Sequence, residues 1–525
     1  MKWREDLPNR FASFCDTCLC LVGGVVIALL AVASFVVCSH LITAAEHSVY
    51  IRNGAWFLGC FLLGILLLIL LQKPLLRIKS RTLFLLLCVV FFAAALYLNL
   101  RVPDILRDDA LHVNEQARLF HKGIYDGLKK GDYLYVYPFQ LGMVTWENFL
   151  LYFSDSNRLI FITNAIFVLL LNYFQWRIYR NLFLVPETED SLGEKYAILL
   201  GFAFLPLLFF TRFAYGSIPG LMLAEGGVHF MLCYVRRHKA YLAVVSVLFF
   251  ALSYIIKLNY LILGVAVSIT LLLLFLQKKK KSLLLLAVLI LVCAQCGMSL
   301  VLSAYRNRTG IHFGTGAPKG LLVAMGLMPE EMGGGLRGGW YNCYNNDTFR
   351  LADYDEERAA EMASKQIHAM IRYWRERPVG AVLFFTDKVI SSWCDPLFES
   401  VWIGPLIEEG NVIADPALRS LYSGGHAYHF AERWMNVLNV LIEGGAAIYF
   451  LSEARSQKKR NPMTALPALY LLGCMLYLLA GETKSQYTFS CVFFLIPCTV
   501  RGFALLSAKI PFLQRKLQRK QRTRS

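Results

Sequence analysis

Charge is scarce in this chain. Of its 525 residues only 17% are charged, against 57% hydrophobic, and the mean hydropathy is +0.50. A soluble domain carries about a quarter charged residues, so the shortage excludes a soluble enzyme and a disordered chain. Histidine is sparse as well, at 10 residues. No His or Cys cluster stands at ligand spacing near the candidate acids, so a divalent metal is not indicated. The 14 cysteines fall mostly inside apolar runs, where Cys acts as a small hydrophobe; that excludes a disulfide framework. No strand-turn-helix context supports a nucleotide phosphate loop. What is present is apolar length, which marks an integral membrane protein of many spans.

Runs long enough to cross occur at 14–42, 54–72, 82–99, 158–178, 196–211, 217–235, 240–256, 258–277, 282–303, 430–452, 463–480 and 488–508. They predict an all-α polytopic membrane protein of about twelve transmembrane helices, at roughly 20 apolar residues per crossing. The runs at 196–211 and 240–256 are short. Segment 138–153 is apolar too, but it is short and carries Gln140, Glu147 and Asn148. It reads as an amphipathic helix on the outer surface, with a short true span as the alternative.

Basic residues set the orientation. Lys2, Arg4 and Arg10 lie at the N-terminus. Lys73, Arg77, Lys79 and Arg81 follow the second run, and Arg177, Arg180 and Lys195 separate the fourth and fifth. Arg236, Arg237 and Lys239 follow the sixth, Lys278 to Lys281 the eighth, and Arg455, Lys458, Lys459 and Arg460 the tenth; a basic tail begins at Lys509. These segments hold a larger basic surplus than the +17 of the whole chain. Placed together on the cytoplasmic side, they put both termini inside at a plasma membrane and explain the basic excess as topology rather than as a nucleic-acid footprint.

The same topology leaves two segments outside, 100–157 and 304–429. The chain thus divides into N-terminal helices and a cytoplasmic loop (1–81), a transmembrane core with the first outer loop (82–303), the large outer loop (304–429), C-terminal helices (430–508) and the basic tail (509–525). Surface helices are expected in both outer loops. Polar residues gather at the outer boundary rather than along the middle of the spans, and no inverted repeat relates the halves. Both facts favour an enzyme at the outer face over a carrier.

In the first outer loop Asp108 and Asp109 open a helical stretch that Gly123 can close. Either acid can cap that helix, and either can serve as general base toward a hydroxyl. The second loop is glycine-rich and aromatic, from His312 through Gly333 to Gly335 and on to Gly339-Trp340-Tyr341-Asn342. Glycines admit close backbone approach, and aromatic faces with amides suit sugar rings; a plain surface loop has the same composition. Residues 353–377 read as a charged amphipathic helix, and 379–403, with Asp395-Pro396, as a segment resting on the membrane. Arg212, Lys257 and Lys484 lie at outer ends of spans, where they can hold a lipid-linked phosphate or simply snorkel. Glu225 and Glu443 lie within or near spans, as functional acids or as inter-helix hydrogen-bond partners.

The order of these features resembles the C superfamily (GT-C) of multi-pass glycosyltransferases, in the bacterial branch related to protein O-mannosyltransferases and the lipid A aminoarabinose transferase. The resemblance is carried by Asp109 eight residues before Ala117, Gly131 to Leu134 followed by Tyr137 to Gly142, Pro318 with Met325 to Leu327 and Gly339 to Asn342, Trp393-x-Asp395-Pro396, and Gly481 to Tyr487. It covers about residues 82–508 and implies a GT-C-like fold. The activity it implies is inverting transfer of a sugar from a polyprenyl-phosphate donor to an extracytoplasmic glycan, glycolipid or protein, with no cofactor. Asp109 would be the base, with Asp108 second. Lys484, Lys257, Arg212, Gln486 and Tyr487 would meet the donor phosphate. Tyr137, Gln140, Trp340, Tyr341, Asn342 and Glu482 would meet sugar or acceptor. A donor-making synthase and a flippase would be its partners. Two positions depart from the family pattern: Gln486 stands where the family has Arg, and Ser217 where it has Asp. The competing readings are a lipid-linked polysaccharide polymerase or ligase, a flippase or transporter of lipid-linked sugar, and a glycolipid-binding scaffold.

Overall fold

The computed structural model describes residues 2–41, 46–333, 337–456 and 461–509. Helices dominate it, as the apolar runs require: in a bilayer, backbone groups must be satisfied within the segment itself. The first three are α1 (Lys2–Val36), α2 (Ala55–Arg77) and α3 (Ser80–Arg101). Next come the short α4 (Asp108–His121), α5 (Tyr133–Val136) and α6 (Leu141–Leu151). Long helices resume with α7 (Arg158–Leu182), α8 (Leu192–Ala203), the single turn α9 (Pro206–Phe209), α10 (Ser217–Arg237), α11 (Ala240–Ile256), α12 (Leu261–Lys278) and α13 (Lys281–Thr309). A second set of short helices follows: α14 (Lys319–Gly326), α15 (Tyr344–Leu351), α16 (Glu356–Glu376), α17 (Pro378–Trp393) and α18 (Pro416–Tyr422). The chain closes with α19 (His426–Arg455), α20 (Leu466–Ala480), α21 (Phe489–Phe494) and α22 (Ile496–Lys509).

Among the described residues nine helices are long and apolar enough to cross a membrane, and eleven if two bent pairs each count as one. The chain is therefore a multi-pass membrane protein. Both bends have a local cause. Pro206 begins the turn after α8, where the axis swings by 50°, and Pro497 sits at the start of α22, where it swings by 49°; a proline removes the amide that would continue the helix. The 17-residue α11 falls just short.

Two differences from the sequence reading stand out. The first apolar run does not stay helical to 42: α1 stops at Val36, and Val37–Leu41 (β1) pairs antiparallel with Ser48–Arg52 (β2). The chain is otherwise helical, as expected of an all-α membrane protein; this one hairpin, whose β-branched and aromatic residues favour a strand, is its only sheet among the described residues. The 138–153 segment contains only the 11-residue α6, about 16 Å long and half of a crossing. One face of it is buried, and the Asn114 amide of α4 donates to its buried Glu147 at 2.7 Å. Gly334 and Gly335, Lys458 to Arg460 and the tail beyond Lys509 lie outside the described residues.

Packing joins the parts into one bundle. α19 runs against α1 on one side and α22 on the other, while α10 is held between α7 and α11. α14, α15 and α16 form a satellite core, in which Leu321, Phe349, Ala359 and Ala363 enclose Val136 of the first loop, while α17 and α18 pack into the main core. The two loop segments therefore pack on each other at one end of the bundle, and the turns before α10, after α11 and after α20 open at the same place.

Candidate functional site

α4 begins without a side-chain cap: Arg107 is the boundary residue, so neither aspartate caps the helix. Asp108 takes a left-handed φ of 48° and turns to solvent, with its carboxylate 4.0 Å from Arg107. Asp109 is exposed too, but it is held by tyrosines. Its Oδ1 accepts the Tyr133 hydroxyl at 3.2 Å, and the Tyr215 hydroxyl lies beside it. A carboxylate in the first turn of a helix is also favoured by the helix dipole.

Tyrosines and amides line the surroundings. The Gln140 side chain donates to the Tyr215 hydroxyl at 2.6 Å. The Tyr137 hydroxyl donates to Asn346 and accepts from Asn345 at 2.9 Å. Asn346 in turn donates to the Tyr341 hydroxyl at 3.0 Å. Burial pushes the Tyr133 phenol well above its ordinary value and the Tyr137 phenol up to about 12, with Asp109 adding to both. These hydroxyls remain protonated hydrogen-bond donors.

Two ammonium groups complete the cluster. Lys257 occupies the turn between α11 and the start of α12. Its Nζ lies 3.3 Å from the Tyr215 ring centre, a cation–π contact, and it makes no ion pair among the described residues. Burial pulls it down to about 7, while the Asp109 carboxylate acts in the opposite sense. Lys484 lies 2.6 Å from Glu46, a residue just before β2, and 5.4 Å from the Tyr341 ring centre. Burial acts to lower Lys484, but the carboxylates of Glu46, Glu482 and Glu399 outweigh it and hold the ammonium above its ordinary value. Burial also raises Glu482 to about 7, against the pull of Lys484. The cluster is thus mixed in charge, and Lys257 is its uncompensated cation.

The turn carrying Glu482 and Lys484 is pinned from two sides. Gly326 packs directly on Gly481, where a Cβ would collide with backbone. Glu482 N–H donates to Leu322 O at 3.1 Å and Thr483 N–H to Gly339 O at 3.0 Å. Lys388 Nζ staples the junction, donating to the carbonyls of Gly326 (2.6 Å), Gly481 (2.6 Å) and Leu479 (3.1 Å). From the other side Ser485 donates its N–H to Glu399 at 2.8 Å and its hydroxyl to Asp395 at 2.6 Å, the hydroxyl oxygen also lying 2.8 Å from Glu399. Asp395 accepts the Leu397 and Glu399 amides, bracing a turn in which Phe398 and Glu399 are both left-handed, a strained pair that the surrounding hydrogen bonds maintain. The glycine and Asp-Pro motifs therefore hold the late turn in place.

Of the residues singled out in the sequence, Asp109, Tyr137, Gln140, Lys257, Tyr341, Glu482, Lys484 and Tyr487 converge here; Tyr487 lies within electrostatic reach of Glu482 and Asp109. The others are placed elsewhere. Arg212 is buried, bound to Asn99 and to the Pro103 carbonyl, and stacked on Phe161. Trp340 is buried, with its indole N–H on Ser391 at 2.9 Å. Asn342 shapes its own turn by accepting from the Tyr344 amide at 3.1 Å. Gln486 meets Glu399 through its backbone N–H at 3.3 Å. Asp108 faces solvent. Sequence reasoning missed Glu46, Lys388, Asn346 and Glu399. Asn346 follows the Trp-Tyr-Asn motif by four residues, and Glu399 follows the Asp-Pro motif by three. No metal-holding group of three or more His, Cys, Asp or Glu occurs among the described residues. The chain matches no protein-family model and none of the curated proteins, so the reading of this site rests on its own geometry.

Proposed function

We propose that this protein is a membrane glycosyltransferase that moves a sugar from a polyprenyl-phosphate donor to an extracytoplasmic acceptor with inversion. The observation that carries the reading is the meeting of Asp109, held by tyrosine hydroxyls, with the uncompensated Lys257 at one end of an apolar bundle. In the reaction the Asp109 carboxylate takes the proton of an acceptor hydroxyl. The acceptor oxygen forms a bond to the anomeric carbon as the bond from that carbon to the phosphate oxygen breaks. The electron pair leaves with the polyprenyl phosphate, whose charge Lys257 meets, joined by Lys484 once Glu46 yields. Counting α11 and both bent pairs gives twelve spans, with both termini cytoplasmic at the plasma membrane.

The test is sugar transfer from radiolabelled polyprenyl-phosphate hexoses by the full chain in lipid vesicles. Wild type should transfer, and a folded Asp109→Asn variant should fall by about 10²–10⁴-fold, the usual worth of a general base. Equal transfer by both removes Asp109 from the mechanism. One observation favours a second reading, transport of lipid-linked sugar: Glu225 is fully buried in α10, and neither of its carboxyl oxygens has a hydrogen-bond partner among the described residues. Under that reading Glu225→Gln abolishes sugar translocation and Asp109→Asn leaves it unchanged.

A further inference from the structure

The two loop segments line an open groove beside the Asp109 cluster. Its near wall is Tyr133 and Tyr137 and its far wall is Asn346, Asp347, Arg350 and Tyr354, with a volume of about 210 Å³. The near wall is shared with the cluster: the Tyr133 hydroxyl reaches Asp109, and the Tyr137 hydroxyl meets Asn345 and Asn346. A ligand resting on these rings would lie next to the Asp109 carboxylate.

We infer that this groove is a binding subsite for one neutral, hydroxyl-rich ring, the sugar or polyol unit of the acceptor. The inference rests on the transferase reading for its role, but the site itself rests on the lining. Three tyrosines supply aromatic faces for the C–H side of a sugar ring. Asp132 supplies an unspent acceptor: it stands at the start of α5, yet its side chain makes no capping bond. Asp347 is 3.0 Å from Arg350, and the neighbouring Lys129 and Lys130 lie 2.6 and 2.8 Å from Asp126 and Asp353, all in exposed pairs. Around it the acids Asp126, Asp132, Asp347 and Asp353 outnumber the bases Lys129, Lys130 and Arg350, so the site disfavours a phosphate and favours hydroxyl donors. Its volume lies below the roughly 300–1,000 Å³ of pockets for drug-sized ligands, which limits it to about one ring. The donor phosphate and the acceptor unit then approach from opposite sides of the tyrosine pair, Lys257 serving one and Asp132 the other.

The experiment is saturation-transfer difference NMR on the full chain in lipid nanodiscs, with methyl hexopyranosides as neutral probes and hexose 1-phosphate as the anionic one. Wild type should pass saturation from tyrosine protons to the methyl glycoside. Tyr354→Leu and Asp132→Ala should each cut that signal at least fivefold. If Tyr354→Leu fails to fold, Asp132→Ala, a change at an exposed side chain, decides alone. The proposal is overturned by no signal in wild type, by an unchanged signal in Asp132→Ala, or by tighter binding of hexose 1-phosphate than of the neutral glycoside. Glycoside binding without any sugar transfer from polyprenyl donors would remove the transferase reading and keep the subsite; transfer without glycoside binding would do the reverse.

Discussion

Lys257 and Lys388 are two inward-facing lysines of the same protein, and burial lowers both to about 7. They differ in what the ammonium meets. Lys388 has three donors and gives them to three backbone carbonyls, so nothing remains for a ligand. Among the described residues Lys257 has no hydrogen-bond or ion-pair partner and lies against the face of Tyr215, so its N–H groups are available. Two lysines in one corner of the fold therefore do opposite work: the saturated one is a staple and the unsaturated one is a receptor. Hydrogen-bond saturation separates the roles where the sign of the charge and the direction of the pKa shift do not.

The comparison breaks most visibly by removing each charge. Lys388→Met orphans three carbonyls, at about 1–3 kcal/mol apiece when left unpaired in a buried site. The folded yield should collapse, with the thermal midpoint of any surviving protein lowered by many degrees in detergent. Lys257→Met orphans nothing and relieves a desolvated ammonium. Its thermal midpoint should hold or rise, while donor affinity falls about 10–100-fold, the worth of one or two charge-assisted hydrogen bonds. If Lys257→Met unfolds the protein and Lys388→Met spares it, the assignment of roles is reversed.

How far the sequence showed this follows from the kind of residue. The helices were legible because twenty apolar residues in a row have few other uses; nearly every run reappears as a helix within a few residues of its predicted ends. The failure at Val37 comes from a run whose apolar character continued while its secondary structure changed from helix to strand. Lys257 and Lys484 were legible as ionisable residues at the ends of apolar runs, and Asp109 as an acid in the first outer loop, preferred to Asp108 on its spacing to Ala117. Their division of labour was not. Arg212, equally placed in the sequence, is consumed by Asn99 and a carbonyl, and Lys388 lay inside a helix that read as surface-bound. Saturation is a property of partners distant in the chain: Gly326 and Gly481 reach Lys388 from positions about 60 and 90 residues away. No local pattern encodes that.

A smaller effect sharpens the receptor side. The donor phosphate is a diester with no proton to lose near neutrality, so pH dependence of its binding reports the protein. Lys257 is held near 7 by burial, and only its ammonium form attracts the phosphate. Below pH 7 the affinity should be flat. As pH rises through 7 the lysine loses its proton and Glu482, also near 7, becomes a full carboxylate; both changes oppose an anion. The apparent Kd should rise about tenfold between pH 6 and 8. Lys257→Arg keeps its charge over that range, so its profile should lose most of the slope. An equally steep profile in Lys257→Arg would assign the titration to Glu482.

The least effect is expected at Lys484, which stands between the two extremes. It is neither saturated like Lys388 nor open like Lys257, because one carboxylate, Glu46, lies 2.6 Å away in a half-buried pair. A phosphate arriving at Lys484 must compete with that carboxylate. Glu46→Gln keeps the shape, removes the competing charge and leaves Lys484 near Glu482 and Glu399. The expected outcome is a gain: donor affinity two- to fivefold tighter, about 0.4–1 kcal/mol, the scale of a partly screened ion pair. The thermal midpoint should fall slightly at the same time, since the pair also ties the segment before β2 to the late turn. Equilibrium binding of a labelled polyprenyl-phosphate sugar to both proteins in nanodiscs measures it. Weaker binding in Glu46→Gln would mean that Glu46 positions Lys484 for the donor rather than competing with it, and Lys484 would then belong with the staples.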